Sequence, residues 1–207
     1  MNKQSIVIDR EYGSGGREVA RILSEKLGMD FYDGNLLALA GKEYGIHLGV
    51  VQEYDEKGVG GILSDIAMMT NGANPGYKME EAYSVFSALS RLVQQLVAKK
   101  PCIFLGRCTS QILRSEAHVP FVHAFVYASN MQDRVDRARN VDGVDASRIE
   151  AYIRRRDAQR KNYNRFFTDK AWGDPANYDL MLNTSAIGYV GAAEAILGVV
   201  KSREEKE

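Results

Sequence analysis

Three glycines within four residues, Gly13, Gly15 and Gly16, follow the β-branched run Ile6-Val7-Ile8 and precede Val19, Ala20, Ile22, Leu23 and Leu27 at helical spacing. A strand, a glycine-rich turn and a helix in this order can hold phosphate. The first N–H groups of a helix lack intrahelical partners, and its N-terminus carries about half a positive charge. Glycines let the backbone close around an anion placed there. Isolated glycines would indicate only a tight turn; three of them at the first βα turn favour a ligand.

Two motifs compete for this loop. A dinucleotide fingerprint, G-x-G-x-x-G, needs glycine or alanine at position 18, and the chain has Glu18. The phosphate loop G-x-x-x-x-G-K-[ST] can be laid on residues 10–17 with Gly15 as its second glycine. Arg10 then replaces the first glycine, Gly16 the lysine and Arg17 the hydroxyl residue. What survives is a nest of N–H groups from Gly13, Ser14, Gly15, Gly16 and Arg17, with the Arg17 cation beside it. Arg17 can offer phosphate a bidentate guanidinium or pair with a nearby carboxylate such as Glu18 or Glu11. Glu18 is either a magnesium ligand or an outward-facing acid favoured by the helix dipole, the second being preferred.

A second concentration of chemistry lies between Arg134 and Arg165, with ten basic residues against five acids in a chain whose 27 basic and 27 acidic residues balance. Arginines that close over a phosphoryl group stabilise the charge spread over its oxygens. Arg156 and Arg160, spaced i, i+4, can face one ligand, with Asp157 as an orienting or base-binding carboxylate. Arg154, Arg155 and Arg156 cannot all do so, because successive helical residues point about 100° apart. Arg134, Arg139, Arg148 and Arg165 are read as solvated helix surface. Tyr163, Phe166, Phe167 and Trp172 are expected to pack this stretch against the core.

The elements that must position these groups alternate. After the first helix, ended by Gly28, residues 30–33 form a short strand feeding a helix near Asn35. Residues 45–78, with scattered glycines, read as a mobile insert. Ala82 to Leu96 mark a long amphipathic helix, Cys102 to Leu105 a strand ending in Gly106-Arg107, and His123 to Ala128 another strand. Two basic helical stretches follow, then a strand at 178–182, a helix at 190–200 and a frayed charged tail at 201–207. Five strands separated by helices imply a mostly parallel sheet covered on both faces, whose carboxyl ends form the ligand rim. The glycine turn, Asp33 and Gly106-Arg107 all fall on that rim.

Composition sets limits. A chain of 207 residues, 45% apolar and 26% charged, suits one compact domain. The neutral balance argues against a nucleic-acid or membrane partner, and no segment reads as a signal peptide or membrane span, so a cytoplasmic location is expected by default. Cys102 and Cys108 are read as too far apart for a disulfide, and the histidines show no metal-ligand spacing.

The stretch Ile8 to Glu18, Phe31-Tyr32-Asp33, Gly106-Arg107-Cys108 and Asp157 to Asn183 with its Trp172-Gly173-Asp174 together resemble the cytidylate kinase-like family of bacteria, over nearly the whole chain. The resemblance implies a three-layer α/β/α fold of the P-loop nucleoside monophosphate kinase type with a five-stranded parallel sheet. It also implies one kinase-like domain over 1–207, a nucleotide-binding insert at about 45–78 and an arginine-rich lid at about 134–172. Gly13 to Arg17 then match the phosphate loop, Asp33 the acid opening the monophosphate site, Arg107 an arginine contacting the acceptor, and Asp157 with Arg160 an Asp-x-x-Arg pair of the lid. The chain departs from the family pattern in lacking the loop lysine and the hydroxyl at the magnesium position. Leu39 stands about where true cytidylate kinases carry a phosphate-binding arginine.

The expectation is a phosphotransferase using ATP with magnesium and a nucleoside monophosphate such as CMP, or a similar small acceptor. Arg17, Arg156, Asp157 and Arg160 would serve catalysis, and Asp33 and Arg107 acceptor binding. The alternative is a nucleotide-binding sensor without turnover. The sequence fixes neither the acceptor nor the oligomeric state.

Overall fold

The computed structural model describes residues 4–54, 75–115, 119–144 and 148–205. Its centre is β1 (Ser5–Arg10), a strand whose six residues are all buried. Such a strand must lie inside the sheet, covered on both faces. It pairs in parallel with β3 (Cys102–Leu105) on one side and β4 (Phe121–Tyr127) on the other. β2 (Asp30–Tyr32) and β5 (Leu180–Asn183) complete a five-stranded parallel sheet in the order β2-β3-β1-β4-β5.

Alternate residues of each strand serve opposite faces. Ile6 and Ile8, with Ile103, Leu105, Val122, Ala124 and Val126, pack beneath α1 (Gly16–Leu27) and α8 (Thr184–Glu204). Val7, Cys102 and Phe104 pack on the other face against α2 (Leu36–Tyr44), α4 (Pro75–Lys99) and α5 (Thr109–Ser115). This is the three-layer α/β/α arrangement expected. Its helix-covered faces leave the carboxyl ends of the strands as the open rim.

The pair α6 (Met131–Asn140) and α7 (Ile149–Phe167) leans over that rim. It has a small core of its own in Val135, Ala138, Ile149 and Ile153, into which Tyr12 of the glycine turn also packs. Phe167 stacks on Phe86 at 4.4 Å and Trp172 meets Phe125 edge-on at 5.0 Å, so these aromatics do pack the arginine-rich stretch against the body.

Several boundaries differ from the sequence reading. Residues 45–78 are not irregular throughout, since α3 (Leu48–Glu53) forms within them and α4 begins at Pro75. The His47 ring accepts the Gly49 N–H at 3.2 Å, capping α3, and Val51 and Tyr54 are buried. The middle of that stretch, 55–74, lies outside the described residues. The closing helix begins at Thr184 and bends at Gly188 (φ 67°, ψ 177°). It continues to Glu204, where a frayed tail was expected, because Arg203 ties its end to Asp179 at 2.8 Å and to the Phe121 carbonyl at 3.0 Å. No helix among the described residues is long and apolar enough to cross a membrane.

Candidate functional site

β1 delivers the chain into the glycine turn at the sheet's carboxyl edge. Gly13 (φ 77°) and Gly15 (φ 81°) are both left-handed, a conformation that side chains disfavour. Space excludes side chains as well. A Cβ on Gly13 would lie 2.7 Å from the Arg134 carbonyl oxygen, and one on Gly15 would lie 2.1 Å from the ring of Tyr189. Gly15 is the N-cap of α1 and no side chain caps that helix, so its positive end faces the rim.

The turn is held from three directions. The Ser14 hydroxyl donates inward, toward the carbonyls of Glu11 (2.9 Å) and Val126 (3.0 Å), which leaves it turned away from the rim. Thr184 donates to the Ser14 carbonyl at 2.7 Å. Asp157 accepts the Tyr12 N–H at 2.7 Å and pairs with Arg134, whose Nε donates to the Tyr12 carbonyl at 2.8 Å. Asp157 therefore acts on the backbone of the loop.

Arg134 was read as solvated surface; it is 6% exposed and also meets Glu11 at 3.3 Å. The physical reason is a concentration of acceptors, Glu11, Asp157 and the Tyr12 carbonyl, that satisfies a buried guanidinium. Arg139, Arg148 and Arg165 are exposed, as expected.

Above the turn lies a cleft of about 380 Å³ lined by six arginines, 10, 17, 107, 137, 156 and 160, and three acids, Glu11, Asp33 and Asp142. Arg156 and Arg160 do share a face. Their guanidinium carbons lie 5.8 and 5.5 Å from the Tyr12 ring centroid, so one aromatic carries both. Arg160 also donates to the Arg10 carbonyl at 2.9 Å, fixing α7 to the end of β1. The Arg156 Nε is buried with no hydrogen-bond partner among the described residues.

Arg107 is placed by three consecutive left-handed residues, Gly106 (φ 74°), Arg107 (φ 63°) and Cys108 (φ 55°). For residues other than glycine this costs about 1–3 kcal/mol each and is found where a side chain must be aimed. Its guanidinium lies beside Gly34, next to Asp33. Burial pushes the Arg107 pKa down to about 9; the charges of Arg10, Arg160 and Arg156 add to the shift and Tyr163 opposes it. At neutral pH the group is still cationic, and six arginines against three acids give the cleft lining a positive excess.

Arg17 lies at the mouth and pairs with Asp33 through its Nε at 2.8 Å, with 72% of its side chain exposed. It uses neither of the carboxylates named from the sequence, since Glu11 pairs with Arg134 and Glu18 with Arg21. Glu18 pairs with Arg21 on the outer face of α1, 3.2 Å from its Nε, and that contact lowers the Glu18 pKa. Among the described residues no group of three potential metal ligands exists. Leu39 is 40% exposed and outside the cleft.

Tyr12, Arg137, Tyr189 and Thr184 belong to the site and were not singled out in the sequence. Arg137 lies over Tyr189 at 5.2 Å, linking α6 to the bend of α8. Only the contacts between distant segments reveal them, although Arg10 was visible as a cation in a glycine position.

The sequence matches the cytidylate kinase-like family model over residues 5–186. The chain belongs to that family. Among solved structures, this family member is similar to an uncharacterized protein from Eubacterium ventriosum, with a TM-score of 0.71, 21% identity, and 96% of this chain and 99% of the other covered. A gluconokinase from Sinorhizobium meliloti aligns at TM-score 0.53 and 13% identity, covering 100% and 98% of the two chains. A shikimate kinase from Acinetobacter baumannii in complex with shikimate aligns at 0.50 and 13%, covering 98% and 96%. At these identities the likeness establishes the P-loop kinase fold. No curated protein sequence matches the chain.

Proposed function

We propose that this cytidylate kinase-like protein binds a nucleoside triphosphate in the arginine-lined cleft and transfers its terminal phosphoryl group to a nucleoside monophosphate such as CMP, or to a similar small acceptor. The observation that carries this reading is the cluster of Arg10, Arg107, Arg156 and Arg160 facing the uncapped start of α1, with Arg107 held against its own desolvation. Such a cluster at a helix N-terminus attracts a phosphate anion and can stabilise its charge.

Backbone N–H groups of Gly13 to Arg17 hold the donor phosphates. Arg156 and Arg160, steadied on Tyr12, stabilise the negative charge of the transferring group. Arg107 and Asp33 meet the acceptor, and Arg17 is released from Asp33 to phosphate when the cleft fills. Asp157 contributes by fixing Tyr12. Magnesium enters as the metal–triphosphate substrate, since Ser14 and Glu18 are already engaged within the protein.

A second reading, nucleotide binding without turnover, is favoured by Gly16 at the lysine position and by the inward Ser14 hydroxyl. A coupled assay with MgATP and a panel of CMP, dCMP and other monophosphates separates the two. Turnover is expected with at least one acceptor. No turnover beside a working control kinase, with ATP still raising the melting temperature, would favour the sensor.

A further inference from the structure

The loop departs from the phosphate-loop pattern at two places, Arg10 for the first glycine and Gly16 for the lysine. The structure makes them one feature. A Cβ built on Gly16 would lie 2.6 Å from Arg10 Cβ and 2.9 Å from Arg10 Cγ, with Val126 Cβ next at 3.6 Å. The space that a side chain at position 16 would enter is the space through which the Arg10 stem passes. Arg10 ends β1, is 9% exposed, lines the cleft and adds its positive charge to the field felt by Arg107. Its own carbonyl is fixed by Arg160, so its backbone position is set by α7.

We infer that Arg10 and Gly16 are a reciprocal exchange: the cation that a phosphate loop carries on the first residue of its helix is supplied here from the end of β1, and Gly16 is glycine so that the Arg10 stem can cross it. The loop has kept a phosphate-binding cation and moved its root by six residues along the chain. An arginine in that place also changes the contact, because a planar guanidinium can bind two phosphate oxygens where an ammonium acts as a point charge.

Three consequences follow. Gly16 tolerates no side chain while Arg10 is present. Arg10 contributes to holding a polyphosphate more than a monophosphate. Removing Arg10 and placing lysine at 16 restores the ordinary arrangement.

This inference rests on the phosphate-binding reading of the cleft, and the test keeps the two apart. The full chain is titrated calorimetrically with MgATP and with AMP, for wild type, Arg10→Met, Gly16→Lys and the double variant R10G/G16K. Wild type is expected to bind ATP. Arg10→Met, which keeps an unbranched stem without the charge, should weaken ATP by about tenfold or more and change AMP by less than about twofold. Gly16→Lys should weaken ATP by a similar factor, because its stem collides with that of Arg10. R10G/G16K should recover ATP affinity to within about threefold of wild type, a coupling that independent sites do not show.

If Arg10→Met does not fold, the comparison of Gly16→Lys with the double variant decides alone, and a double variant binding ATP no better than Gly16→Lys overturns the exchange. So does wild-type ATP affinity in Arg10→Met. Failure of the wild type itself to bind ATP would overturn the phosphate-binding reading and the exchange with it.

Discussion

Arg107 shows how far one residue can be driven from its own preferences by the demands of a site. It occupies a left-handed backbone conformation between two other left-handed residues, it is 5% exposed, and three arginines bear on it. Its pKa is lowered, so the cation is disfavoured by folding: stability would be fully regained above the ordinary arginine pKa and is lost as pH falls to about 9. Throughout the neutral range the fold therefore bears this cost.

Arg107→Met is expected to raise the melting temperature of the ligand-free protein by about 2–4 °C, the equivalent of roughly 1 kcal/mol for a chain of this size, while weakening anion binding. Scanning calorimetry with and without inorganic phosphate measures both. A lower ligand-free melting temperature would mean that the arginine is structural. For the wild type, phosphate affinity should decline as pH rises past about 9, because the cation is then lost.

At the scale of elements, α6 and α7 do more than present arginines. Arg134 and Asp157 grip Tyr12 by its carbonyl and its N–H, and Glu11 shares the same guanidinium. The glycine turn is thus shaped partly by residues more than a hundred positions away. Asp157→Ala leaves the buried Arg134 with Glu11 as its remaining acid partner and the Tyr12 N–H without its acceptor, and should cost on the order of 2 kcal/mol, whereas Asp157→Asn, which retains an acceptor for the Tyr12 N–H, should cost less. Urea unfolding of the two variants checks the order; equal losses would show that the backbone contact contributes nothing.

The same contacts explain what the sequence could and could not reveal. The strand, turn and first helix were legible because apolar periodicity and clustered glycines are local signals, and so was the i, i+4 pairing of Arg156 with Arg160. The burial of Arg134 was not, because a helix rich in arginine reads as solvated until its partners arrive from residues 11, 12 and 157. Nor was the crossing of Gly16 by Arg10, which exists only once β1 and α1 are folded together.

Across the whole molecule, the parallel sheet gathers the ends of β1, β2 and β3 with the two basic helices on one rim, so that charges scattered over a neutral chain become one positive cleft. An excess of positive charge concentrated in a recess suits the binding of an anion. On the proposed reading, this cleft holds the phosphates of a nucleotide.

Arg156 offers the most direct test, because its Nε is buried without a hydrogen-bond partner among the described residues. Calorimetric titration of MgATP into wild type and Arg156→Ala should give saturable binding to the wild type, weakened by about tenfold in a variant that still folds. Equal affinity in the two proteins, or no binding to the wild type, would contradict it.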